Sequence, residues 1–219
     1  MRLDGVRILD LSRLLPGPYA TQLLADLGAD VIKVEDTGMG DYARDLPPLT
    51  DRGVGRLFDA VNRGKRSVAI DLKTGRGKNV FYQLATEADV VFEQFRPGVA
   101  ERLDIDYETL VEHNHDLVYC SLSGYGQTGP YADRVGHDLN YIGVSGLLDM
   151  TRDSTEKTPR IPGYPIADMA GGLFAAFSVV GALASRALGN TDGEYVDVAM
   201  TDVVVSLSQA VTADALAGE

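Results

Sequence analysis

The sequence predicts an α/β fold, a Rossmann-like parallel sheet with helices flanking it. Short apolar runs typical of buried strands alternate with segments that carry apolar residues at helical spacing. This alternation implies β-α-β crossovers, and such crossovers place strands in parallel with helices on the faces of the sheet. The 219 residues suit one large domain, and a hydrophobic content of 45% is enough for a core without disulfides.

Each element follows from a local pattern. Strands are predicted where runs of Val, Ile and Leu stand between turn residues, at 6–11, 30–35, 67–72, 89–93, 117–121 and 193–200. Helices are predicted where apolar residues recur every three or four positions, at 19–27, 75–85, 99–103, 107–112, 138–148, 169–188 and 203–216. Residues 37–64 are polar and irregular, which predicts a surface loop.

Charge and cysteine content exclude several classes of protein. A net charge of −12 argues against non-specific nucleic-acid binding, which needs a basic face. No uninterrupted apolar run reaches the roughly 20 residues of a membrane span, and the N-terminus does not resemble a signal peptide. The single cysteine, Cys120, lies in a strand-like run and is expected to be a buried structural thiol. We therefore expect a soluble, cytoplasmic protein without nucleic-acid or membrane partners.

The first β-α-β unit is followed by Glu35 and Asp36, an arrangement that is similar to dinucleotide-binding folds, where a carboxylate holds the ribose. Its first turn reads SRLLPGP and lacks the G-x-G-x-x-G fingerprint that brings backbone amides to a pyrophosphate. We therefore expect neither a nicotinamide nor a flavin. His113 and His115 lie in a polar stretch between a helix and a strand, and no metal site is expected there.

Basic residues are concentrated in two clusters, as expected of an acidic protein that binds a polyanion. One is NRGKR at 62–66, and the other is formed by Arg96 and Arg102. Arginine suits phosphate because its fork donates two parallel hydrogen bonds, and a nearby phenylalanine could stack on an adenine. Ligands bind at the carboxyl ends of parallel strands. The residues expected to line such a crevice are Leu72, Lys73, Phe95, Arg96 and Arg102. The alternative is that the cations neutralise neighbouring carboxylates on a solvated surface.

Two residues are candidates for acid-base chemistry. His137 follows a glycine-bounded loop at a helix start, where the helix dipole favours the neutral imidazole that a base requires. Asp168 precedes the longest apolar helix and is either its N-cap or a second acid-base group. Gly171 and Gly172 weaken the predicted first turn, which favours close approach of a ligand to the backbone. The alternative for the histidine is a satisfied helix cap. If both groups face one cleft, they could move a proton from one face of a carbon to the other.

Six motifs in this order resemble the family III CoA-transferase superfamily of the CaiB/BaiF type. They are LLPGP at 14–18, LGADVIKVE at 27–35, RSVAIDLK at 66–73, FRPGV at 95–99, GYGQTGP at 124–130 and YVDVAMTD at 195–202. Within that superfamily, GHDLNY at 136–141 is similar to the α-methylacyl-CoA racemases. Transferases of the superfamily usually lack this histidine, whereas both branches use the position of Asp168.

The resemblance implies a racemase of 2-methylacyl-CoA thioesters with His137 and Asp168 as its acid-base pair, and no cofactor beyond the coenzyme A of the substrate. In the transferases the matching carboxylate is a covalent nucleophile, so a CoA-transferase is the first alternative. The resemblance also implies which residues hold coenzyme A: Ile70, Asp71, Leu72, Lys73, Gln94, Phe95, Arg96, Arg102, Gly136, Asp138, Asn140 and Tyr141.

Members of this superfamily are longer than this chain and form interlocked dimers. The resemblance therefore implies that residues 1–200 are the CoA-binding large domain, and that residues 201–219 are a final helix and the start of a linker to a second domain. It implies an acyl-CoA partner and a homodimer. A third possibility is a catalytically silent fragment that binds coenzyme A or dimerises.

Overall fold

The computed structural model describes residues 2–155 and 157–218, and within them six parallel strands form one sheet in the order β3-β2-β1-β4-β5-β6. The strands are Arg7–Asp10 (β1), Asp30–Glu35 (β2), Arg66–Ala69 (β3), Val90–Glu93 (β4), Val118–Ser123 (β5) and Glu194–Ala199 (β6). The predicted α/β class with a parallel sheet is confirmed. The chain builds outward from β1 to β3 and then continues on the other side of β1 with β4, so the connections after β1 and β4 diverge and leave a crevice between them.

Helices cover both faces of the sheet. They are Pro16–Asp26 (α1), Arg56–Val61 (α2), Gly75–Thr86 (α3), Val99–Arg102 (α4), Tyr107–Val111 (α5), Asp138–Val144 (α6), Leu147–Met150 (α7), Ile166–Ala187 (α8), Met200–Leu207 (α9) and Gln209–Ala217 (α10), with a 3-10 turn at Tyr42–Arg44.

The hydrophobic core has two parts, one on each face of the sheet. On one face, side chains of α1, α8 and α9, such as Leu24, Val179 and Val204, pack against β1, β4 and β5. On the other face, Phe81 of α3 and Leu110 of α5 pack against the same strands. The buried strands hold both layers in register and bring the loops at their carboxyl ends together.

The helix α8 is long and apolar enough to cross a membrane by length and composition. It was not recognised from the sequence as such a segment, because Asp168 and Arg186 interrupt its apolar run. In the structure α8 packs against α1, α9 and β5, and Ala175, Val179 and Ala182 are buried. One face of α8 is thus packed into the core, whereas Leu173 and Phe177 of the same helix are 51% and 73% exposed.

Several predicted boundaries were wrong. The predicted helix 138–148 is divided into α6 and α7, because Gly146 between them adopts the left-handed conformation with φ of +83°. The predicted helix 203–216 is two helices, α9 and α10, which meet at Ser208. Residues 37–64, predicted as an irregular loop, contain the 3-10 turn and α2. The third strand ends at Ala69 rather than at residue 72.

Candidate active site

The loops at the carboxyl ends of β1, β4 and β5 enclose a cavity of about 520 Å³. Residues after β1 and β4 form part of its wall, and the long loop between β5 and α6 forms another part. Both predicted acid-base residues, His137 and Asp168, line this cavity. The condition for two-base chemistry, that the two groups face one space, is therefore met.

His137 is the residue that caps the start of α6, as the sequence predicts. Its backbone N–H donates to the side-chain carbonyl of Asn140 at 3.0 Å, which fixes the entry of the chain into the helix. The residue is exposed and lines the cavity. The imidazole is therefore carried by a helix start that a local hydrogen bond with Asn140 stabilises.

The loop that carries His137 is supported by the ring of Tyr141, which is 6% exposed. The Tyr141 hydroxyl donates to the Gly136 carbonyl oxygen at 2.5 Å. A Cβ at Gly124 or at Gly136 would lie 2.3 Å and 2.6 Å from Cε1 of this ring, so both positions exclude a side chain. Burial, with the nearby charge of Asp168, raises the pKa of Tyr141 to about 12, so its phenol remains a donor.

Asp168 lies inside the first turn of α8 and does not cap it. The helix starts at Ile166, and the N-cap is Pro165, so the prediction of a helix from residue 169 with Asp168 at its cap was wrong. A proline suits the cap position because its missing N–H would have no helical partner there. The carboxyl of Asp168 is thus released from capping.

The environment of Asp168 favours its neutral form. Burial raises the pKa of Asp168 to about 7, and the negative charge of Asp138 contributes in the same direction. The Asp138 carboxylate accepts a hydrogen bond from the Asp168 backbone N–H at 3.0 Å, which ties α6 to α8. Glu93 also has its pKa raised to about 7 by burial, but it lines a separate cavity of about 230 Å³, so the pKa alone does not single out Asp168.

Gly171 and Gly172 serve helix packing, and the prediction that they admit a ligand was wrong. A Cβ at Gly171 would lie 2.5 Å from Cγ of Met200 in α9, and one at Gly172 would lie 2.5 Å from the Pro16 carbonyl oxygen in α1. Both residues are buried. The two glycines therefore let α8 approach its neighbours closely, and this approach brings Asp168 to the cavity.

The residues predicted to hold coenzyme A fall into two groups. Five of them line the cavity with His137 and Asp168: Gln94, Phe95, Arg96, Gly136 and Tyr141. The Gln94 side chain also accepts a hydrogen bond from the Gly17 N–H at 2.9 Å and so joins the loops after β1 and β4.

The other seven predicted residues are absent from the lining of this cavity: Ile70, Asp71, Leu72, Lys73, Arg102, Asp138 and Asn140. Asp138 and Asn140 lie in the first turn of α6 beside it. Ile70 is 6% exposed and packs in the core of the second face, and together with Asp71 it lines a separate pocket of about 230 Å³. A role in binding coenzyme A remains a prediction for this group.

The cations at 62–66 are engaged by carboxylates. Lys65 lies 3.0 Å from the buried carboxylate of Asp10, and Arg66 lies 2.6 Å from that of Asp30. Arg63 pairs with Asp26 at the surface at 2.5 Å. The sequence left two interpretations of this cluster open, polyanion binding and neutralisation of neighbouring carboxylates, and the contacts support the second.

The remaining thiol and imidazole groups offer no second chemical site. Cys120 is fully buried in β5, as predicted, and burial raises the pKa of its thiol well above the usual range. His113 stacks on the ring of Tyr82 with 4.6 Å between the centroids. Among the described residues, no group of three or more His, Cys, Asp or Glu side chains has the arrangement of a metal site.

A family model for CoA-transferase family III matches residues 3–219, which is nearly the whole chain. The chain belongs to CoA-transferase family III. Its resemblance to this family, carried by six short motifs, is confirmed. Four of those motifs, at 14–18, 95–99, 124–130 and 195–202, supply residues to the wall of the cavity.

Relatives within family III include both transferases and a racemase. The chain is 40% identical over 207 residues to a succinate–glutarate CoA-transferase of Agrobacterium fabrum, which covers 92% of this chain and 51% of that protein. It is 38% identical over 209 residues to the α-methylacyl-CoA racemase of Mus musculus, which covers 95% of this chain and 50% of that protein. The chain thus spans about half the length of the curated relatives that it matches.

A solved structure of a CAIB/BAIF family protein from Brucella suis has the same fold. The two chains superpose with a TM-score of 0.92 at 38% identity, over 99% of this chain and 58% of the other.

Of the residues that line the cavity, seven were predicted from the sequence and the others were missed, among them Leu14, Tyr42, Leu57 and Arg134. Tyr42 and Leu57 come from the segment predicted as a surface loop, and Leu14 comes from the LLPGP turn, for which no site role was predicted. Arg134 lines the cavity, and its guanidinium stacks on the Tyr131 ring at 4.2 Å. No pattern in the sequence distinguishes Arg134. Tyr42 and Leu57, in contrast, are recognisable as an aromatic and an aliphatic residue in a polar segment.

Proposed function

We propose that this chain catalyses 1,1-proton transfer at the α-carbon of an acyl-CoA thioester, and thereby interconverts the two configurations of a 2-methylacyl group. The observation that carries the proposal is that His137 and Asp168 line one cavity. One group is a nitrogen base on a helix start and the other is a carboxyl group within a helix. They are supplied by separate elements, which allows them to address different faces of one carbon.

The proposed reaction needs two proton-transfer steps. The thioester carbonyl acidifies the α-carbon, and one of His137 and Asp168 removes its proton to leave an enolate. The other group, in its protonated form, donates a proton to the opposite face. The two groups exchange protonation states, so the reverse reaction starts from the product. The oxidation state of the substrate does not change, and the reaction as proposed uses neither a metal nor a redox cofactor.

The pKa of Asp168 suits this use. A group that accepts a proton in one direction and donates it in the other works best when its pKa is near the working pH. Burial, aided by Asp138, raises the pKa of Asp168 to about 7, so both protonation states are populated at neutral pH. A carboxyl group with the ordinary pKa of 3.8 would be almost entirely ionised at neutral pH and would rarely carry the proton to be donated.

The coenzyme A part of the substrate is proposed to lie along the loop after β4. Arg96 is exposed at the cavity and suits a phosphate, and Phe95 beside it offers an aromatic surface. A homodimer, implied by the resemblance, stays part of the proposal, and sedimentation of the purified chain tests it.

The test is deuterium incorporation at the α-carbon, followed by mass spectrometry after the chain is incubated with a 2-methylacyl-CoA in deuterated water. We expect His137→Ala and Asp168→Ala each to lower the exchange rate by roughly 10²–10⁴-fold, the range for one positioned acid-base group. His115→Ala, which removes an exposed imidazole away from the cavity, is the matched control and should exchange at the wild-type rate. Exchange that survives His137→Ala undiminished would contradict the proposal, and so would coenzyme A binding without any exchange.

A CoA-transferase that uses Asp168 as a nucleophile is the second candidate, and the relatives favour it. The transferase of Agrobacterium fabrum is 40% identical to this chain, and the racemase of Mus musculus is 38% identical. In this mechanism the carboxylate attacks the thioester carbonyl and releases the thiolate of coenzyme A, which leaves a mixed anhydride. It predicts a hydroxylamine-sensitive acyl-enzyme and complete loss of transfer in Asp168→Ala, with only a modest effect of His137→Ala.

A further inference from the structure

We propose that Asp41 is a positioning residue that fixes the shape of the apolar part of the cavity, and that Leu14 is the side chain through which it selects the acyl group. The inference rests on the proposed use of this cavity by an acyl-CoA thioester. It concerns the segment between β2 and α2, which the acid-base mechanism leaves without a role.

The backbone of Leu14 is strained. Its φ is +63°, in the left-handed region that a leucine rarely adopts because its Cβ crowds the backbone. Asp104 also has a positive φ, but aspartate tolerates this conformation better. Strain of this kind persists only where the surroundings enforce it, and it is concentrated at functional sites. Leu14 lines the cavity, so the strain is located at its wall.

The group that enforces this conformation is the carboxylate of Asp41. Its Oδ1 accepts hydrogen bonds from the backbone N–H of Leu14 at 3.2 Å and of Ala43 at 3.0 Å. One carboxylate oxygen therefore links the turn after β1 with the 3-10 turn that presents Tyr42 to the cavity. The Asp41 backbone N–H is itself held, because it donates to Glu35 Oε2 at 2.9 Å.

The Asp41 carboxylate is fully buried and is neutralised by an equally buried cation. Its Oδ2 lies 3.0 Å from Nζ of Lys33, and the two side chains are 0% and 2% exposed. The Lys33 ammonium also donates to the Ser12 carbonyl oxygen at 2.7 Å, two residues before Leu14. Lys33 thus binds the strained turn at Ser12, and Asp41 binds it at Leu14. Because both side chains are buried, solvent screens their attraction little.

The part of the wall that depends on this ion pair is apolar. Leu14, Leu15 and Pro16 follow β1, and Tyr42 and Leu57 come from the segment after β2. None of these side chains carries a charge, whereas the cations of the cavity, Arg96 and Arg134, come from the loops after β4 and β5. The chemistry of this wall fits an uncharged, branched acyl chain, and its shape decides how much chain is accepted.

The inference is tested by calorimetric titration of the 219-residue chain with free coenzyme A and with two non-reactive thioethers, S-ethyl-CoA and a 2-methyl-branched S-decyl-CoA. The quantity compared is the ratio of the affinities for the branched thioether and for free coenzyme A. We expect Asp41→Asn to lower this ratio about tenfold, the effect of a poorly shaped hydrophobic pocket, with affinity for free coenzyme A within twofold. Asp89→Asn, which breaks the ion pair with Arg186 at the opposite end of the sheet, is the matched control and should leave the ratio unchanged.

Leu14→Gly provides a second test that keeps the buried ion pair, since Asp41→Asn leaves the Lys33 ammonium without its carboxylate and risks unfolding. Leu14→Gly should lower the ratio on its own, and Asp41→Asn added to it should lower the ratio no further, because both act through the same side chain. Effects that simply multiply, or an unchanged ratio in Leu14→Gly, would overturn the inference. Failure of the wild-type chain to bind any of the three compounds would overturn the proposed function as well.

Discussion

Asp10 and Asp168 are two carboxylates near the carboxyl end of the sheet, and their environments act in opposite directions. Asp10, at the end of β1, is fully buried, and burial alone would raise its pKa. The charges of Lys65 and Lys33, with hydroxyl donors from Ser12 and Thr21, instead lower it to about 2. Asp168 is less buried, yet burial raises its pKa to about 7, because its charged neighbour is the Asp138 carboxylate, which adds to the rise where a cation would offset it. The sign of the nearest charge, rather than the depth of burial, separates a structural carboxylate from a candidate acid-base group.

The largest effect on this comparison is expected when Lys65, the cation paired with Asp10, is removed. Lys65→Met should lower the free energy of unfolding by about 3–5 kcal/mol, because it leaves a buried carboxylate short of one partner. Urea unfolding at pH 7 measures the change. The control is Lys157→Met, which breaks an exposed ion pair with Asp153 and should cost less than about 1 kcal/mol. Equal losses in the two variants would mean that burial adds nothing to the Lys65–Asp10 pair.

The second prediction uses pH, because the two carboxylates should affect stability in opposite windows. The folded-state pKa of Asp10, about 2, lies below the ordinary value of 3.8, so its contribution is present above about pH 4 and is lost as the pH falls towards 2. The folded-state pKa of Asp168, about 7, lies above 3.8, so its contribution is present below about pH 4 and is lost as the pH rises to 7.

Urea unfolding of the wild type and of Asp168→Asn from pH 3 to pH 8 checks the second window. The free energy of unfolding of the wild type, relative to that of the variant, should fall between pH 4 and pH 7. Glu93, whose pKa is also raised to about 7, is present in both proteins and cancels in the difference. A difference that stays constant across this range would show that Asp168 titrates normally.

The smallest effect is expected from Asp138→Asn, which sharpens the comparison by removing the negative charge beside Asp168. The new amide oxygen can still accept the hydrogen bond from the Asp168 N–H, so the backbone geometry is retained. The pKa of Asp168 should fall, and the acid limb of the pH profile of proton exchange should shift to lower pH. The rate at pH 7 should change less than about tenfold, since one pKa unit corresponds to a factor of ten. An unshifted limb would assign the raised pKa to burial alone.

The sheet could be predicted from the sequence because its strands are short apolar runs that cannot be placed elsewhere. The runs at 30–35 and 89–93 match β2 and β4 within a residue. The start of α8 could not be predicted in the same way. Asp168 is a preferred capping residue, and only the tertiary structure shows that Pro165 takes the cap and leaves the carboxyl inside the first turn.

The candidate site was predictable to the extent that its residues stand in a distinctive local pattern. His137 follows a glycine at a helix start, and the structure places it there. Tyr42 and Leu57 reach the cavity from a polar segment whose placement depends on tertiary contacts, such as the ion pair of Asp41 with Lys33 of β2. The ion pairs of the cations at 62–66 could not be predicted either, because their partners, Asp10 and Asp30, precede them by more than thirty residues.

The close contact of α8 with α1 at Gly172 limits which dimensions of the cavity substitutions can change. A Cβ at Gly172 would lie 2.5 Å from the Pro16 carbonyl oxygen and 3.0 Å from Cδ1 of Tyr19, so α8 lies close against both the main chain and a ring of α1. The gap between the Leu14–Pro16 turn and the Asp168 carboxyl is therefore a fixed dimension of the scaffold. Substitutions in the lining can therefore alter the shape of the cavity, while the distance between this turn and Asp168 stays the same.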